Sequence, residues 1–163
     1  AIKVLGMGRF EKLILRFPEA FWDDVDQIQI AGMAGGPFTG WYNLNRVIGQ
    51  PVLMALNGGA AAAAAGLPLP QQTAQASELL ARIYPQRFRP PLAAQASTWW
   101  TDPFSRGSYS FTAVGSGDDD RAALSEAIED RLWLAGEAAH PTLHSTVHGA
   151  FASGKAAAQQ VLA

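Results

Sequence analysis

The stretch LWLAGEAAHPTLHSTVHGAFASGKAAAQQVL, residues 132–162, decides how this chain is read. Leu132 to Ala135 suit a short strand, Gly136-Glu137 a turn, and a loop to Ser145 leads into a helix ending near Leu162. Along that helix Val147, Ala150, Phe151, Gly154, Ala158 and Val161 recur at helical spacing. This order suits an anion or an electron-rich ring held at the helix N-terminus. The first N–H groups of a helix have no acceptors within it, and its dipole favours negative charge there by about 0.3–1 kcal/mol. Ser145 and Thr146 stand where the helix opens. Gly149, Ala150, Ala152, Ser153 and Gly154 keep it slim enough for a ligand or a sheet to approach its backbone. A capped helix with a glycine-tolerant packing face has the same pattern.

Upstream, Ser116 to Arg121 contains three consecutive Asp and reads as an exposed loop. Near the other end, RFEKLILRF from Arg9 to Phe17 alternates and predicts a strand, with Glu11, Leu13, Leu15 and Phe17 on one face and Phe10, Lys12, Ile14 and Arg16 on the other. Further strands are expected at Gln27 to Ile30, Gly40 to Val47 and Pro51 to Leu56, the last apolar enough for burial on both faces. The alanines from Ala60 to Ala65 favour a helix, and Thr73 to Ile83 has amphipathic helical spacing closed by Pro85. A Pro-rich connector around Pro90 and Pro91 leads to an extended segment through Trp99 and Trp100. Ala1 to Leu5 reads as the tail of a helix stopped by Gly6, with no capping residue or signal sequence before it, so the chain is expected to be cut from something longer.

The 163 residues are 48% hydrophobic and 16% charged, the composition of a globular chain able to bury a core. A net charge of −2, from 12 basic and 14 acidic residues spread along the chain, argues against nucleic acid or an anionic membrane as partner. The absence of cysteine excludes disulfides, thiolate metal sites and thiol nucleophiles. No apolar run approaches the roughly 20 residues of a membrane span, so a soluble chain, cytoplasmic if anything, is expected. Lys12 shares a strand face with Phe10 and Ile14. A core-facing lysine loses solvation and can act as a base or hold a water, whereas one at a sheet edge merely snorkels. His140, His144 and His148 are spaced four apart, but Pro141 interrupts any helix that would align them, and no metal is expected.

Three segments, GMGRFEKLILRFPEAFW (6–22), WWTDPFSRGSYSF (99–111) and residues 132–162, resemble in order the flavin-containing amine oxidases, the family of monoamine oxidases, polyamine oxidases and lysine-specific histone demethylases. By that resemblance Lys12 matches the lysine that holds a water against flavin N5. Tyr109 matches an aromatic wall of the substrate cage and, with Lys12, is a candidate catalytic residue. Trp99 matches the aromatic residue beside the isoalloxazine ring. Glu137, after Gly136, matches the acid that binds the ribityl and phosphate stretch of FAD, and Thr146 and Val147 match residues whose backbone meets the pyrimidine edge. Ser108 stands where monoamine oxidases carry a cysteine joined covalently to the flavin, which implies noncovalent FAD. Thr146 stands where they carry a second cage tyrosine, which implies a more open site.

The resemblance implies hydride transfer from the amine-bearing carbon to flavin N5, imine hydrolysis, and reoxidation by O₂ to give H₂O₂. GMGRF lacks the third glycine of a dinucleotide motif and leads into a strand, so an N-terminal FAD-domain portion or a partner chain is expected to complete the site. The expected fold is α+β: a mixed or antiparallel sheet in a substrate-binding portion, residues 1–112, then the C-terminal strand and helix of a Rossmann-like FAD domain, residues 113–163. Exposed apolar surface on such a piece would favour association with another chain, a homo-oligomer among the options. The competing expectation is a non-catalytic remnant that serves as a binding or dimerisation module.

Overall fold

The alternating run from Arg9 to Phe17 forms an interior strand of the larger sheet, paired with a neighbour on each side. The computed structural model describes residues 2–31 and 36–162. In chain order the strands are β1 (Gly6–Met7), β2 (Phe10–Arg16), β3 (Gln27–Gln29), β4 (Gly40–Asn43), β5 (Val52–Gly58), β6 (Ala93–Ala96) and β7 (Ser110–Phe111). The α-helices are α1 (Asn45–Ile48), α2 (Leu69–Ile83), α3 (Asp118–Ser125) and α4 (Val147–Val161), with short 3₁₀ helices at Gly59–Gly66 and Glu137–Ala139. The chain divides into two compact units, Arg9–Arg106 and Ala1–Gly8 with Gly107–Ala163.

In the first unit, five antiparallel strands run in the order β3-β4-β5-β2-β6. Leu13 and Leu15 of β2, Leu53 and Ala55 of β5 and Trp41 of β4 are fully buried on one face, where Ala76, Leu79 and Leu80 of α2 join them. Each fully buried leucine contributes about 1.5–3 kcal/mol of burial. Phe17, Phe21, Trp22, Tyr84 and Phe88 extend this core through edge-on ring contacts. The buried Asn57 side chain accepts the Phe38 N–H (2.8 Å) while Phe38 O accepts from Trp41 Nε1 (2.7 Å), so Phe38 is held in the core with both its backbone polar groups paired.

In the second unit β1 pairs antiparallel with β7, and α3, the Glu137–Ala139 turn and α4 pack together. The unit has α+β character, as does the sheet unit.

Several local expectations change. Gly40–Asn43 is strand but Asn45–Ile48 is helix, because Asn43 Oδ1 accepts the Asn45 N–H and turns the chain. The alanine run forms a 3₁₀ helix, and α2 begins earlier than expected, with Pro70 in its first turn, where the missing N–H costs nothing. Met54 and Leu56 of β5 are only half-buried, so that strand hides one face rather than two. Trp99 and Trp100 lie in a turn rather than an extended segment. The triple-Asp stretch opens α3 instead of a loop: three acids in a first turn favour the helix dipole, and Asp120 accepts the Gly117 N–H. Leu132 to Ala135 makes only the bridge of Leu132 to Ile128, since no strand pairs alongside it among the described residues. Ile2 to Leu5 is turn and bend rather than helix, and Ala1 lies outside the described residues.

Candidate functional site

In the sheet unit, β2 turns its two faces to different purposes. Glu11, Leu13, Leu15 and Phe17 are buried, while Phe10, Lys12 and Ile14 are half-buried on the opposite face. Lys12 therefore stands outside the core, with Nζ 5.8 Å from the Phe10 ring centroid. It lines an open cleft of about 360 Å³ together with Ile14, Gln95, Ser97, Trp99 and Asp102. Lys12 and Trp99, nominated from segments far apart in sequence, thus share one cavity.

The geometry behind that cleft rests on Glu11, which the sequence pattern did not single out. Its carboxylate is 1% exposed. Oε2 accepts from Ser97 Oγ, and Oε1 accepts from the Trp100 N–H at 2.8 Å. Ser97 Oγ in turn accepts the Lys12 N–H (2.8 Å), and Lys12 O accepts the Ser97 N–H (2.9 Å). The Arg9 guanidinium lies over the Trp100 ring, 3.6 Å from its centroid. One buried acid therefore fixes the turn that carries Trp99 against the strand that carries Lys12. The signal was present as a carboxylate in register with three large apolar side chains, a position that demands partners.

In the second unit Glu137 is the hub. Its Oε1 accepts the Ser110 N–H (2.6 Å), and its Oε2 accepts from Ser110 Oγ (2.8 Å) and from the Ser145 N–H (2.6 Å). Burial alone would raise the Glu137 carboxyl. The Ser110 and Ser145 donors and the charge of Arg121 outweigh it and hold the acid below the usual glutamate range. Ser145, at φ 61°, also donates through Oγ to Ser110 O, which draws the loop before α4 onto β7.

Thr146 is the N-cap of α4. Its Oγ1 accepts the Gly149 N–H (3.0 Å) and donates to Leu143 O (2.6 Å), so its side chain serves the helix. A Cβ at Gly149 would collide with Leu143 O, which explains glycine there. The helix itself offers no acceptor to the N–H groups of Val147 and His148, and Val147 is 88% exposed. Gly136, at φ 135°, has open space where a Cβ would point, and its N–H donates to Ser153 Oγ (3.0 Å). Tyr109 is partly exposed and accepts the Gly8 N–H through its carbonyl, one residue before Ser110. This unit therefore gathers Tyr109, Gly136, Glu137, Thr146 and Val147 around Ser110 and Ser145, two residues the sequence reading assigned no binding role.

Gly149 and Ser153 form the inward face of α4, whereas Val147, Phe151 and Val161 are exposed. His140 Nδ1 accepts the Leu143 N–H (2.9 Å) and His144 Nδ1 bonds Ser145 Oγ, so two of the three histidines shape the loop. Among the described residues no three metal-ligating side chains converge, and no helix is long and apolar enough to cross a membrane.

The fold is shared with a solved structure. The solved cyclohexylamine oxidase from Brevibacterium oxydans IH-35A superposes with a TM-score of 0.71 over 98% of this chain and 36% of its own, at 20% identity, a likeness of fold. Lysine-specific histone demethylase 1 homolog 1 of Oryza sativa subsp. japonica is 36% identical over 94% of this chain and 19% of its own length. Homolog 3 of Oryza sativa subsp. indica is 38% identical over 94% and 20%. The chain thus spans about a fifth of the length of these curated relatives. A family model described as flavin containing amine oxidoreductase matches residues 1–162, and the chain belongs to that family.

Proposed function

We propose that this chain supplies the substrate cleft and the flavin-edge helix of an FAD-dependent amine oxidase. The observation that carries the reading is the α4 N-terminus: N–H groups at Val147 and His148 with no acceptor among the described residues, a bare Gly136 and the acid Glu137, all within one unit. These residues fit an electron-rich ring with a hydroxylated chain. Helix N–H groups favour a ring edge that gains negative charge, and Glu137 retains acceptor capacity for a hydroxyl. Bound FAD would accept hydride at N5 from the amine-bearing carbon, the imine would hydrolyse, and O₂ would be reduced to H₂O₂.

In this reading Lys12 of the sheet unit holds a water and Trp99 of the same unit serves the flavin ring, while Tyr109 of the second unit serves as an aromatic wall for the amine. The amine side is drawn from residues 1–112 and the flavin-edge helix from residues 113–163. FAD is held without a covalent bond, because Ser108 offers no thiol. A glycine-rich dinucleotide motif from further sequence or a partner chain would seat the pyrophosphate. Purified protein, with any co-purifying chain, is expected to absorb near 450 nm and to release H₂O₂ from amines. A colourless preparation that ignores added FAD would refute the proposal and favour a binding module.

A further inference from the structure

Arg121 is fully buried, and its hydrogen-bond acceptors are all neutral: Ser110 Oγ at 2.9 Å, Ala138 O at 3.3 Å and Thr112 Oγ1 at 3.4 Å. Its Nε has no partner among the described residues. A guanidinium does not lose its proton in a protein, and a buried charge without compensation is strongly unfavourable. Compensation lies one hydroxyl away, because Ser110 Oγ accepts from Arg121 and donates to Glu137 Oε2. A hydroxyl set between a cation and an anion is polarised by both.

We infer that Arg121 is a positioning residue for the cofactor acid: through Ser110 Oγ it orients the Glu137 carboxylate beneath the loop entering α4, leaving part of that carboxylate to accept a hydroxyl of the cofactor chain. The inference rests on the assignment of Glu137 to the flavin. Donors from Ser110 and Ser145 take three of the about four lone-pair sites of a carboxylate, so the acid arrives pre-aimed with about one site open. The lowered Glu137 carboxyl, to which Arg121 contributes, agrees with this arrangement.

Other titratable groups on the surrounding elements are Asp118, Asp119 and Asp120 in the first turn of α3, His140 and His144 in the loop, and His148 and Lys155 on α4. Strands β7 and β1 bring none.

The test follows the Glu137 carboxyl by ¹³C NMR in the protein as purified, assigned through Glu137→Gln, and measures FAD affinity by fluorescence in parallel. Arg121→Met is expected to raise the Glu137 midpoint by about one pH unit and weaken FAD binding about tenfold, with Arg121→Lys recovering part of both. Ser110→Ala keeps the charge and removes the relay. It should move both readouts the same way, and it carries the test where Arg121→Met fails to fold. An unmoved midpoint in folded Arg121→Met or in Ser110→Ala overturns the inference, even with FAD bound normally. A midpoint that moves in a protein that binds no FAD supports the Arg121 linkage and instead removes the flavin assignment.

Discussion

Replacing Glu11 with alanine tests whether one buried acid organises the Lys12 cleft. The substitution strips the acceptor from the Trp100 N–H and from Ser97 Oγ–H, each a hydrogen bond to a charged group worth about 1.5–3 kcal/mol. Releasing a buried carboxylate from its desolvation returns part of that sum, and the serine hydroxyl can swing towards water in the open cleft. A net loss of about 2–4 kcal/mol is expected. Glu11→Gln keeps an amide oxygen for Trp100. Its NH₂ can donate to Ser97 Oγ, which already accepts the Lys12 N–H, so the cost should fall to about 1 kcal/mol. Urea unfolding at constant m-value measures both, and the cycle of Glu11→Ala with Ser97→Ala should show coupling of about 1 kcal/mol or more. Alanine and glutamine variants of equal stability, or a cycle with no coupling, would refute the reasoning.

Three further outcomes are expected. In the flavin-loaded enzyme Lys12→Met should slow flavin reduction or reoxidation by about 10²-fold in stopped flow while FAD remains bound, and unchanged rates would remove Lys12 from the chemistry. Because the folded-state Glu137 carboxyl lies below its ordinary value of 4.5, its stabilisation is present above that pH and disappears as pH falls through the folded value. Glu137→Gln should therefore flatten the acid limb of the stability-pH curve, and an identical acid limb would contradict that. Gly149→Ala forces Leu143 and the N-cap to move and should cost more than about 2 kcal/mol, whereas Gly154→Ala meets open space and should gain about 0.5–1 kcal/mol in thermal unfolding.

The sequence made the strand at residues 10–16 and the final helix legible, because each carries a clean period. It could not say which face of that strand is buried. Both faces carry a charge among apolar side chains, and the choice depends on Ser97 and Trp100, which lie 86 and 89 residues on and donate to Glu11. Arg121 was read as part of a solvated acidic loop for a similar reason. Three neighbouring aspartates dominate the local pattern, while its burial is set by Ser110, Thr112 and Ala138. Trp99 was nominated by resemblance to a family, whereas the strand pattern had already singled out Lys12 and the resemblance gave it a role. Ser110 went unnoticed because its partners gather only when the loop before α4 folds back.

The placement of Ser110 between Tyr109 and Phe111 has a consequence for how this chain tolerates change. Exposure alternates along these three residues, with the serine hidden and both rings partly open. A deletion or insertion near Gly107 that slid this short strand by one position would drive an aromatic ring into the space between Arg121 and Glu137 and expel the hydroxyl that links them. Point substitutions at the two rings should be far better tolerated than any change in the length of the segment that leads to them.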